Sequence, residues 1–166
     1  MKFDIQEIKD YINDNPNAKI IIGGDSQKIS KKKLKKKPRY KGQKWVRFVT
    51  TVIVYQKDKN KIFFEVSKER DIDTNPSKPI TRMMNETYKI VDITLKLMDV
   101  LIDRDFEIHL DINPDENEGS YCALNQAVGY CWGMIGVEPV VKPDAFVAST
   151  VSDHIVKHNK DVLSYY

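Results

Sequence analysis

Two acidic side chains in this chain stand where carboxylate chemistry needs them: Asp25 and Asp111. The run Lys19-Ile20-Ile21-Ile22-Gly23-Gly24-Asp25 reads as a buried strand that delivers Asp25 at its end, and Glu107-Ile108-His109-Leu110-Asp111 does the same with Asp111. Carboxylates set side by side at strand ends repel by roughly 4 kcal/mol at about 4 Å in a surface-like dielectric. A divalent cation between them is the usual remedy, and phosphoryl transfer is the chemistry such a centre supports.

The elements that must position these acids follow from periodicity. Phe3, Ile5, Ile8 and Ile12 predict an amphipathic helix over 3–13, ended by Asn15-Pro16-Asn17. A first strand is expected over 18–24. The β-rich run Trp45 to Gln56 and the run Lys61 to Val66, joined by a turn at 58–60, predict a hairpin. After a polar linker, Pro79 suits a first helical turn, and apolar residues from Ile80 to Ile102 repeat at three and four, predicting one long helix. A fourth strand is expected at 106–110, a helix capped by Ser120 and running to about Gly133, a short fifth strand at 137–141, and a last helix from Lys142-Pro143-Asp144 to about His158. Strands one, four and five, separated by helices, should be parallel with right-handed crossovers. The expectation is a single α/β domain over residues 1–166, a mixed five-stranded sheet flanked by helices, with strands 1–3 antiparallel and strands 1, 4 and 5 parallel.

The net charge of +3 hides an asymmetry. Residues 28–44 hold ten Lys or Arg and no acid, so the other 149 residues carry 17 basic and 24 acidic side chains, a balance of −7. Such a run is either a solvated loop or an arm that tracks phosphates through Lys31, Lys32, Lys33, Lys35, Lys36, Lys37, Arg39, Lys41 and Lys44. The bordering Tyr40 and Trp45 favour the second reading, since bases stack on aromatic rings. No stretch approaches the length of an apolar membrane span, and Met1-Lys2-Phe3-Asp4 opens an amphipathic segment rather than a signal peptide. The expected location is the cytoplasm, with no membrane partner. Cys122 and Cys131, nine apart in one expected helix, face opposite sides and cannot bridge each other.

The order of these elements, with acids at those places, resembles the ribonuclease H-like fold, and most closely the YkuK-type family of bacterial and phage ribonuclease H-like proteins. The residues that carry the likeness are Ile22-Gly23-Gly24-Asp25-Ser26-Gln27, Arg82-Met83-Met84-Asn85-Glu86, His109-Leu110-Asp111-Ile112-Asn113, and Lys142-Pro143-Asp144-Ala145-Phe146-Val147-Ala148-Ser149. The resemblance implies a nuclease in which Asp25, Glu86, Asp111 and Asp144 are both catalytic and metal-holding, around two Mg²⁺ or Mn²⁺ ions at a scissile phosphate. Asp153, nine residues past Asp144 and on the opposite face of a regular helix, is the alternative fourth acid. The basic insertion at 28–44 is not part of the ribonuclease H pattern, so RNA, DNA and hybrid substrates all stay open. A non-catalytic nucleic-acid-binding protein on the same fold is the other function to weigh.

Each acid also has a plainer role. Asp25 after two glycines can cap a turn, Glu86 can be a solvated glutamate on the flank of its helix, and Asp144 can be an N-cap. The stretch from Asp111 tempts an EF-hand reading, which fails because Glu116 stands where glycine is needed and Cys122 where a bidentate glutamate is needed. Ser26 and Gln27 are candidates for touching a sugar–phosphate backbone. His109 shares strand phase with Asp111 but reads as structural, and His154 and His158, four apart, lack a third metal partner.

Overall fold

The computed structural model describes residues 3–29, 44–57 and 59–146. Helix α1 (Ile5–Asp14) is capped by the Asp4 side chain, which accepts from Glu7 N–H at 3.1 Å, and it buries Ile8 and Ile12. Strands β1 (Lys19–Lys28), β2 (Trp45–Tyr55) and β3 (Asn60–Arg70) form an antiparallel run, and β4 (Phe106–His109) lies parallel to β1, giving the order β3-β2-β1-β4.

The strands are longer than expected on this side of the sheet. The β1–β2 ladder runs on to the pair Lys28↔Val46, so Asp25 is paired with Val49 inside β1 rather than standing at its end. Backbone pairing continues wherever a partner strand is available, and β2 supplies one past the apolar run.

The fifth strand is absent. Residues 137–141 contribute a single parallel bridge, His109↔Val140, held by Val140 N–H to Ile108 O at 2.8 Å and Leu110 N–H to Val140 O at 2.9 Å. Lys142 N–H makes one more bond towards this strand, to Ile112 O at 3.1 Å, before Pro143 in the turn. The described sheet therefore has four strands, not five. The last helix, expected to run to about His158, falls for the most part outside the described residues, as do Asp153, His154 and His158.

The long helix is broken. Helix α2 (Ile80–Lys96) gives way at Leu97 to the short α3 (Met98–Leu101). One turn earlier Thr94 Oγ1 donates back to Ile90 O at 2.8 Å, a bond that loosens the helical ladder. A 3-10 turn (Gly119–Ala123) leads into α4 (Leu124–Ile135), which ends on Gly136 at φ 77°, the left-handed cap that glycine adopts without a Cβ clash. Ser120 does not cap this helix; its Oγ accepts from Asn113 N–H at 3.0 Å and pins the loop after β4.

One face of the sheet, with Ile20, Ile22, Val52, Val54, Phe63 and Ile108, meets Ile8, Ile12, Met83, Ile90, Leu97, Leu101 and Ala127 from the helices in the main core. The other face carries two small groups, Ile21 with Ile53, and Val49 with Phe64 and Val66. Helix α2 comes closest to β1 at Gly24. A Cβ there would lie 2.8 Å from Val49 O and 3.3 Å from the Ile90 side chain. Gly24→Ala is therefore expected to destabilise the fold by about 1–3 kcal/mol, read as a lower urea midpoint, and an unchanged midpoint would show that this packing relaxes freely.

Candidate functional site

The site begins with sheet register. Strands β1 and β4 pair as Ile20↔Phe106 through Gly23↔His109. Carrying the same offset two residues further sets Asp25 opposite Asp111, just past the end of the ladder. Neighbouring strands lie about 4.8 Å apart, so a register continued that far would set the two acids side by side. Asp25 is 9% exposed, and its Oδ1 accepts from the adjacent Ser26 N–H at 2.6 Å.

Helix α2 adds the third acid. Arg82, Glu86 and Ile90 stand four apart, one above another on one helix face, and this column runs along β1. Ile90 meets Gly24, while Arg82 Nη1 donates to Ser26 O at 2.8 Å and reaches Ser26 Oγ at 3.3 Å. Glu86, 4% exposed, hydrogen-bonds the Ser26 hydroxyl, and its Oε2 is buried with no hydrogen-bond partner. The helix start is held by Asp73, whose two carboxylate oxygens accept from Thr81 N–H and Arg82 N–H, both at 2.9 Å.

Burial and the neighbouring acids act together on Glu86. Loss of water is the largest cause, the charge of Asp25 the next, and Asp111 adds to it, against opposition from the Ser26 bond and Arg82; the carboxyl is pushed up to about 8. Glu86 thus feels the negative charge of both Asp25 and Asp111.

Asp111 has one cation beside it. Lys142 Nζ lies 2.7 Å from Asp111 Oδ1, an ion pair to a buried oxygen that has no other hydrogen-bond partner. Lys142 is set there by its backbone N–H, which donates to Ile112 O at 3.1 Å.

The other expected residues are placed differently. Asp144 is exposed in the turn after Val141 and is not among the charges acting on Glu86. Ser26 is 5% exposed and already engaged by Arg82 and Glu86, whereas Gln27 is exposed. Lys44 is exposed; Lys31, Lys32, Lys33, Lys35, Lys36, Lys37, Arg39 and Lys41 lie outside the described residues. His109 is buried, with Nε2 3.0 Å from Glu107 Oε2 and its ring edge-on to Phe146. Cys122 and Cys131 are unbridged, and burial pushes the Cys131 thiol up to about 11. Among the described residues, no group of three or more His, Cys, Asp or Glu side chains is arranged to hold a metal ion, and no helix is long and apolar enough to cross a membrane.

Sequence reasoning missed Arg82, Lys142 and Asp73. Arg82 had a signal, its place one turn before Glu86. Lys142 and Asp73 had none, because their partners are set by the fold.

A mixed α/β sheet with acids on or just past its parallel pair and on the first long helix is the arrangement expected of a ribonuclease H-like protein. The sequence model of the ribonuclease H-like family matches residues 4–157, and the chain belongs to that family. No curated protein and no solved structure matches the chain.

Glu86 makes stability depend on pH. Its carboxyl titrates near 4.5 when unfolded and near 8 when folded. Below 4.5 it is neutral in both states and costs nothing. As pH rises from about 4.5 to 8 the unfolded chain releases a proton that the fold retains, so stability falls, by up to about 5 kcal/mol, and then levels off. In metal-free buffer Glu86→Gln should melt higher than wild type at pH 9 and much nearer to it at pH 5. Parallel melting-temperature curves for the two proteins would show that Glu86 is not the group responsible.

Proposed function

We propose that this protein is a divalent-metal-dependent nuclease that hydrolyses phosphodiester bonds of nucleic acid. The observation that carries the reading is the joint action of Asp25 and Asp111 on the buried Glu86. The oxygen donors come from β1, α2 and the end of β4, and two of their oxygens are buried, Glu86 Oε2 without a hydrogen bond and Asp111 Oδ1 with the Lys142 ammonium beside it. Hard divalent cations take such oxygens, so the donor types suit Mg²⁺ or Mn²⁺. A pair of these ions, when bound, lowers the pKa of an attacking water and steadies the leaving oxygen.

The chain's own residues prepare for this. Asp25 is held through the bond its Oδ1 accepts from Ser26 N–H. Arg82, bonded to Ser26, keeps positive charge beside Glu86 and eases its ionisation. Asp144, or Asp153, completes the set as the fourth acid. The basic segment at 28–44 grips the strand, and the cytoplasm, where unbridged cysteines persist, is where it works.

A second reading, a nucleic-acid-binding protein that does not cut, is favoured by the ten-cation run from Lys28 to Lys44. A cleavage assay with Mn²⁺ and Mg²⁺ on single-stranded, duplex, hybrid and branched substrates separates the two. Asp25→Asn and Asp111→Asn should each lower cleavage more than about a hundredfold, while Asp25→Asn raises the melting temperature of the metal-free protein by relieving repulsion. Full cleavage by the double variant would refute the nuclease reading.

Replacing Lys31, Lys32, Lys33, Lys35, Lys36 and Lys37 by Gln should weaken oligonucleotide binding and flatten its dependence on salt. An unchanged salt slope in fluorescence anisotropy would remove the arm from the account.

A further inference from the structure

We infer that Lys142 is a positioning residue of the acid cluster: its ammonium holds a cation's place on Asp111 and yields that oxygen when a divalent ion binds. This rests on the metal-dependent reading of the same site.

Three observations on the Lys142–Asp111 pair carry it. The contact is a short ion pair, at 2.7 Å, to a buried oxygen of Asp111 that has no other hydrogen-bond partner. The Lys142 side chain is 37% exposed and that of Asp111 20%, so the ammonium can move into water with little desolvation change, whereas the carboxylate stays in the cluster. The backbone of Lys142 remains tied to Ile112 O, and the neighbouring Val140 is bridged to His109, which keeps the lysine beside Asp111 in either state.

Arg82 is placed otherwise. Its guanidinium is bonded to Ser26 O and lies against the helix and strand that carry the site. It is a fixed charge near Glu86, where Lys142 is a displaceable one. A lysine suits that role, being a compact point charge on a flexible stem without the planar fork of arginine. The consequence is an acid cluster with its own counter-ion, less strained when empty and slower to fill at low divalent concentration.

The test is Mn²⁺ binding by the whole protein, followed by the electron paramagnetic resonance of free Mn²⁺, with melting temperatures taken in chelator. Lys142→Gln should bind Mn²⁺ about five- to tenfold more tightly than wild type, because the competing ammonium is gone. It should melt lower than wild type in chelator and recover on adding Mn²⁺. Lys142→Arg, which keeps the charge, should stay nearer to wild type in both. Lys142→Met keeps the apolar stem and serves where Lys142→Gln folds poorly.

Mn²⁺ binding that depends on Asp111 but is unchanged or weaker in a folded Lys142→Gln or Lys142→Met protein overturns this inference alone. Mn²⁺ binding that Asp111→Asn leaves intact, or no binding by wild type, overturns the metal-site reading together with it.

Discussion

The parallel register between β1 and β4 is the constraint on which the rest depends. Ile20 through Gly23 pair with Phe106 through His109, and this pairing brings Asp25 and Asp111 level on adjacent strands. Like charges so placed are unfavourable in a partly dry setting, and the chain tolerates them because the surrounding β-ladder and helical core over-determine the backbone. A one-residue slip would turn one acid to the other face and dissolve the cluster. The cluster is thus a property of hydrogen-bonded backbone, which positions carboxylates more rigidly than loops do.

Helix α2 converts that pair into a three-acid site. Its column of Arg82, Glu86 and Ile90 lies along Ser26 and Gly24, and the missing side chain of Gly24 lets the helix approach. The Asp73 carboxylate fixes where the helix starts, through Thr81 N–H and Arg82 N–H, and so fixes which residue faces β1. Glu86 accordingly sits in a place that burial makes costly for a charge. Strain of this kind is common where function needs groups that folding alone would not choose.

Two cations temper the acids in different ways. Arg82 is hydrogen-bonded into the scaffold and lowers the cost of ionising Glu86. Lys142 reaches Asp111 from the segment that replaces a fifth strand. That segment makes a single bridge to His109, and the chain leaves the sheet beside Asp111 with Lys142 at hand. The shortened strand is therefore part of how the site is built.

Much of this was legible in the residues. The apolar runs ending near Asp25 and Asp111, the helical period around Glu86 and the hairpin pattern at 45–66 depend on local periodicity, which burial enforces in any compact fold, and the order of motifs matched the family. The extension of β1 past Asp25 was not legible, because it depends on the length of a partner strand. The reduction of strand five to a single bridge carried no mark in its apolar run, and the break at Leu97 fell inside an unbroken apolar repeat. Asp73, distant in sequence from the cap it supplies, and Lys142, 31 residues from Asp111, carry no periodic mark. Sequence by itself determined which side chains are acidic and which faces are apolar, since those follow from residue type and spacing. Only the tertiary structure decided which charges meet and which cation sits between them, because proximity across strands is set by register and packing.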